Sequence, residues 1–112
     1  MKAFARIGDY PGRAELYISA AAEHITKDFE YVKLIARGKY IIITPCDMKD
    51  LGAVRVRKKT QHTHTARTVC CTDLFSSGAV SKYWQNKRLP LKKLTKDGIT
   101  SLVVCLEESG VV

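Results

Sequence analysis

Two short glycine turns, Arg37-Gly38 and Asp97-Gly98, each separate a pair of apolar or alternating segments, and this punctuation constrains the fold more than any other feature of the chain. Glycine takes positive φ freely, so a Gly between two such runs reads as a tight hairpin turn. Residues 29–36 lead into the first turn. Tyr31, Lys33 and Ile35 face one way, and Val32, Leu34 and Ala36 the other. Residues 39–44 return, β-branched and apolar, and Pro45 is expected to stop that strand. Residues 91–96 form a weaker strand before the second turn, and residues 99–107 a strong one after it.

The remaining segments follow the same logic. Residues 2–7 read as a short strand, residues 8–12 as dense turn chemistry, and residues 14–18 as a strand with one wet face. Ser19 is placed to cap a short helix over 20–25, because its hydroxyl can accept from the free amides of the first turn. Residues 46–52 read as a loop, and residues 53–59 alternate, with Val54 and Val56 inward and Arg55 and Arg57 outward. Residues 60–65 lack periodicity and suit an exposed hairpin tip, and residues 67–71 a further strand. Thr72 is placed to cap a second helix, with Asp73 at its positive end and Phe75, Ala79 and Tyr83 as one stripe. The tail at 109–112 is expected to fray. The expected fold is α+β, mostly antiparallel β, hairpin-rich and barrel-like, with two short helices in a single domain over 1–112.

The second half echoes the first at an offset of 60. Lys33-Leu34 aligns with Lys93-Leu94, Gly38 with Gly98, and Ile42-Ile43 with Leu102-Val103. Ordinary likeness between two hairpins accounts for this, and so does an internal repeat with halves 13–45 and 66–106. If the repeat holds, one chain contains both halves of a barrel. If it does not, the first hairpin unit has too few strands to close a core, and a homodimer is expected.

Residues 13–45, RAELYISAAAEHITKDFEYVKLIARGKYIIITP, run as a strand, a short capped helix, an alternating strand, a Gly turn and a return strand ending in IIITP. This segment resembles an AbrB/SpoVT-type swapped-hairpin module. The family's short helix usually opens on Ile-Pro, where this chain has Ile18-Ser19. The resemblance covers about 30 residues and implies DNA binding through basic residues on a face of two interleaved hairpins. Members are typically prokaryotic transcription factors, often antitoxins or transition-state regulators.

Charge points the same way by a separate route. Residues 51–99 carry eleven Lys and Arg against Asp73 and Asp97, while residues 1–50 are nearly balanced. The total of +8 is therefore a local field, which attracts a polyanion and is screened by salt. The candidate contacts are Arg55, Arg57, Lys58 and Lys59, with Arg67 across the expected hairpin, and Lys82, Lys87 and Arg88 around Tyr83 and Trp84. Residues 55, 57 and 59 share a strand face at about 6.5–7 Å per step, which suits successive phosphates. The same pattern also serves as a solvated face that keeps an edge from pairing. Tyr83 and Trp84 could stack bases, but their helical spacing turns them toward the core.

Catalytic signatures are absent from this sequence. His62, His64, Cys46, Cys70 and Cys71 match no zinc spacing, no Cys/His pair forms a recognisable nucleophile pattern, and no Gly-rich phosphate loop occurs. No metal or cofactor is expected. The four cysteines read as free thiols rather than a disulfide framework. With no apolar run long enough for a span and no signal-peptide pattern, a cytoplasmic protein is expected. The expected function is a non-enzymatic nucleic-acid-binding protein, a small regulator with duplex DNA as its partner. The alternative is a phage-encoded inhibitor or accessory protein, anti-CRISPR-like, that binds a nucleoprotein complex of host defence.

Overall fold

The structure is a computed structural model that describes residues 2–10, 12–61 and 63–107. His62 and the tail at 109–112, both singled out above, lie outside the described residues. The described residues form nine strands: β1 (Phe4–Tyr10), β2 (Arg13–Ile18), β3 (Tyr31–Arg37), β4 (Tyr40–Cys46), β5 (Val54–Arg55), β6 (Arg57–Gln61), β7 (His64–Cys70), β8 (Arg88–Lys96) and β9 (Ile99–Cys105). Two short helices join them, α1 (Glu23–Thr26) and α2 (Thr72–Ser76), with 3₁₀ turns at Ala20–Ala22 and Lys82–Trp84. All strands belong to one antiparallel sheet in the order β5-β3-β4-β9-β8-β1-β2-β7-β6.

The two ends of that order are consecutive in sequence, and this turns the sheet into a nearly closed barrel. Residues 53–59 were expected as one strand, but they divide at Val56. Val54–Arg55 pairs with β3, and the Val56 amide donates to the Glu30 carbonyl at 2.9 Å. From Arg57 onward the chain pairs with β7 instead. Val56 stays buried at this seam, so the alternation survives while the partner changes.

The pairing is symmetric under exchange of the chain halves except at the seam, where β8 pairs with β1 but β3 pairs with β5 instead of β6. In each half a hairpin (β1-β2 or β6-β7) leads through a short helix to a second hairpin (β3-β4 or β8-β9). The equivalent strands β2 and β7 pair with each other, as do β4 and β9. The inward side chains follow the strand period of two. Ile7, Leu16, Ile18, Val32, Ile41, Ile43, Leu102 and Val104 are at most 2 % exposed and form one contiguous core.

Several local expectations are corrected. Ser19 and Thr72 do not cap their helices. The Ser19 hydroxyl accepts from the Phe4 amide and that of Thr72 from the Ala14 amide, each at 2.9 Å. Both therefore satisfy strand-end donors, which leave an unmet buried group just as a helix end does. The second helix stops at Ser76, not at Tyr83. Gly78, at φ 80°, takes the left-handed C′ position, and the Val80 amide returns to the Leu74 carbonyl at 2.9 Å. β1 runs on to Tyr10 rather than ending at Ile7, and β8 spans nine residues, from Arg88. Pro45 lies within β4, opposite Val32. The β9 ladder has already ended at Ile43, so a missing amide is tolerated there. No helix among the described residues is long and apolar enough to cross a membrane.

The cysteines are free, and the adjacent pair does point opposite ways: Cys70 is exposed, Cys71 buried. Burial, with Cys70 and Glu15 adding to it, pushes the Cys71 thiol from 9.0 up to about 12. The folded thiol keeps its proton while the unfolded chain starts to lose it near pH 9. This contribution to stability is complete below pH 9 and falls as the pH rises toward 12, by about 1.4 kcal/mol per pH unit. Urea unfolding of the wild type and of Cys71→Val, compared at pH 8 and pH 10, should give the wild type the steeper alkaline loss. Equal losses would remove Cys71 as its cause.

Candidate nucleic-acid interface

Strand order brings together side chains that are far apart in sequence. Arg57 on β6 stands opposite Thr68 on β7, Thr68 opposite Tyr17 on β2, Tyr17 opposite Arg6 on β1, and Arg6 opposite Arg88 on β8. Cross-strand partners share a face, so these five residues form one row over the outside of the barrel, about 19 Å long at roughly 4.8 Å per strand. Arg6, Arg57 and Arg88 are exposed, and Tyr17 is half-buried.

The row carries stacked cations and rings. The Arg88 guanidinium lies 4.0 Å from the Phe4 ring centre, and that of Arg6 lies 5.8 Å from the Tyr17 ring centre. Phe4 and Tyr17 are themselves 5.9 Å apart at 41°. A guanidinium already held over a ring loses less freedom when it meets a phosphate than one extended into solvent. Beside Tyr17 opens a hollow of about 280 Å³, lined by Gly8, Ala66 and Thr68, with Arg6, Glu15 and Lys59 among its neighbours. Small residues on the same face as a half-exposed ring leave room for a planar group. Glu15 adds an acceptor. Its contact with Arg13 is long, 3.9 Å, and leaves the carboxylate available to an amino group.

The expected site residues fall into three groups. Arg57, Lys59 and Arg88 belong to this face. Arg55, Arg57 and Lys58 line a second cleft at the seam, because the break at Val56 moves Arg55 to the β3 side, opposite Tyr31. Lys82 and Lys87 lie on the loop between α2 and β8. Lys87 sits 4.3 Å over the Tyr83 ring, Tyr83 and Trp84 meet edge to face at 5.0 Å, and the half-buried Trp84 packs on the core. A bridge between Ile7 and Gln85 fastens this loop to β1.

Arg67 differs from its expectation. It is 3 % exposed and does not share the outer face with Arg57. It stands opposite Ile18, a core residue, on β2 and opposite Lys58 on β6, so the period of two turns the guanidinium inward on the β2 side. Glu23 of α1 stands 2.8 Å from it. Conversely, Arg6 was missed because it lies in the half of the chain whose charges balance. The signal was the alternation of residues 4–7, which puts Phe4 and Arg6 on one face and the buried Ala5 and Ile7 on the other.

Comparison with protein-family models, with curated proteins and with solved structures gave no match.

Proposed function

We propose that this chain is a non-enzymatic nucleic-acid-binding protein whose contact face is the outer surface of β6-β7-β2-β1-β8. The observation that carries the proposal is the row Arg57–Thr68–Tyr17–Arg6–Arg88, with Phe4 beside it. Cations on a sheet interleaved with half-exposed rings match what single strands require: phosphates for the guanidiniums, base faces for the rings. A duplex hides its base faces in its stack and would leave the rings of Phe4 and Tyr17 nothing to stack on. The partner is therefore a single strand of DNA or RNA and not the duplex DNA expected from the sequence. The swapped-hairpin resemblance of residues 13–45 would carry a regulator's role only where the bound strand is DNA. Because the core closes within one chain, we read the protein as a monomer rather than the homodimer expected from an isolated hairpin unit.

The alternative, an inhibitor or accessory protein that docks on a nucleoprotein complex, is favoured by one separate observation. The outer face of β3-β4-β9 exposes Ile35 (46 %) and Tyr40 (45 %), with Ile42 and Val103 in line with Ile35. Such a patch suits a protein partner. In that case the basic row holds the nucleic acid of the same complex.

The test is an anisotropy titration with a labelled single-stranded oligonucleotide and with its duplex. If Arg6, Arg57, Lys59 and Arg88 each neutralise a phosphate, the slope of log affinity against log salt is about −3, and affinity falls roughly 50-fold between about 50 and 200 mM salt. The single strand should bind more tightly than the duplex. Tighter binding of the duplex would reverse the strand preference, and no binding of either at low salt would remove the proposal.

A further inference from the structure

The break in the closing strand leaves a cleft of about 780 Å³, lined by Arg55, Arg57 and Lys58 at the seam, by Lys27 beyond α1, and by Arg67. Asp28 and Glu30 also line it and are exposed to solvent. Arg67 is the unusual member, since it reaches the cleft while only 3 % exposed. A guanidinium carries five donors. Its one ion pair among the described residues is with Glu23, and although Arg67 Nη1 and Glu23 Oε2 are 2.8 Å apart, neither atom makes a hydrogen bond of ordinary geometry. Buried donors nearly always have partners. A buried guanidinium with unmet donors, lining a cleft with four further cations, is built to receive an anion.

We propose that this cleft takes the terminal phosphate of a nucleic-acid strand whose body lies along the outer row. The inference rests on reading that row as the nucleic-acid interface. Arg57 joins the two, since it lines the cleft and also heads the row opposite Thr68. Two physical reasons favour a chain end over an internal phosphate. A terminal phosphomonoester carries close to two negative charges at neutral pH, against one for a diester, and offers three oxygens to forked donors. A chain end can also enter a cleft and reach a buried group, whereas an internal phosphate is flanked on both sides and stays at the rim.

The experiment compares one single-stranded oligonucleotide, labelled internally, in three forms: 5′-phosphorylated, 3′-phosphorylated and without terminal phosphate. One phosphorylated form should bind roughly tenfold more tightly than the unphosphorylated form, as one added charge-assisted contact allows. Arg55→Ala combined with Lys58→Ala should erase that ratio. Equal affinity of the three forms would overturn the cleft assignment and leave the row standing. A ratio that survives the double substitution would place the end elsewhere and also overturn it. Failure of all three forms to bind would overturn the row, and this inference with it.

Discussion

Replacing Arg6, Arg57 and Arg88 together by alanine is expected to weaken single-strand binding roughly 1000-fold or more. Each guanidinium makes a charge-assisted contact worth about 1.5 kcal/mol or more, and a factor of ten is about 1.4 kcal/mol. The salt slope should fall by about 2, since three neutralised phosphates are lost at about 0.7 each. The loss should be similar for different base sequences, because phosphate contacts position a strand without reading it. All three side chains are exposed, so unfolding midpoints should change little. Arg6→Ala alone is the informative single variant, because Arg6 lies in the charge-balanced half of the chain and no argument from net charge selects it. A triple variant that binds as tightly as the wild type would place the interface elsewhere.

Arg67→Ala is expected to act on stability instead, costing about 2–4 kcal/mol and lowering the midpoint of thermal unfolding by about 10 °C. Two effects add. Loss of the long side chain leaves a void beside Ile18, which is fully buried. It also removes the partner of Glu23, whose side chain is 42 % exposed, so that the orphaned carboxylate stays partly hydrated and the cost falls below that of a fully buried pair. Arg67→Met, which fills the void without charge, should recover most of the loss. Urea unfolding decides the matter: a shift below about 0.5 kcal/mol for Arg67→Ala is what an exposed residue gives, and it would contradict the buried placement.

Sequence alone carries the hairpins well because their determinants are local. Asp97 and Gly98 take φ of 52° and 78°, the pair of positive values that a two-residue hairpin turn needs, and the Lys96↔Ile99 pairing follows. What sequence conveys poorly is the identity of a partner. Ser19 and Thr72 are correctly placed as residues whose hydroxyls meet a backbone donor, but the donors are on β1 and β2, 15 and 58 residues away, rather than in the adjoining helix turn. Arg67 has the alternation of a strand residue, and only the pairing with Ile18 reveals which face it takes. The break at Val56 leaves no mark in the pattern, because both neighbours keep their phase while the strand exchanges β3 for β7. The contact face shows the same limit. Three of its four cations stand out in the basic segment, yet the row exists only because β1 and β2 lie between β8 and β7.

The most direct measurement is a map of the contact face by backbone amide chemical shifts as a single-stranded oligonucleotide is added. Shifts are predicted at Phe4, Arg6, Tyr17, Arg57, Lys59, Thr68 and Arg88, spread over five strands that only the barrel makes neighbours, with little change on β3, β4 and β9. Shifts confined to the Ile35–Ile42–Val103 face, or none at all at saturating oligonucleotide, would contradict the account.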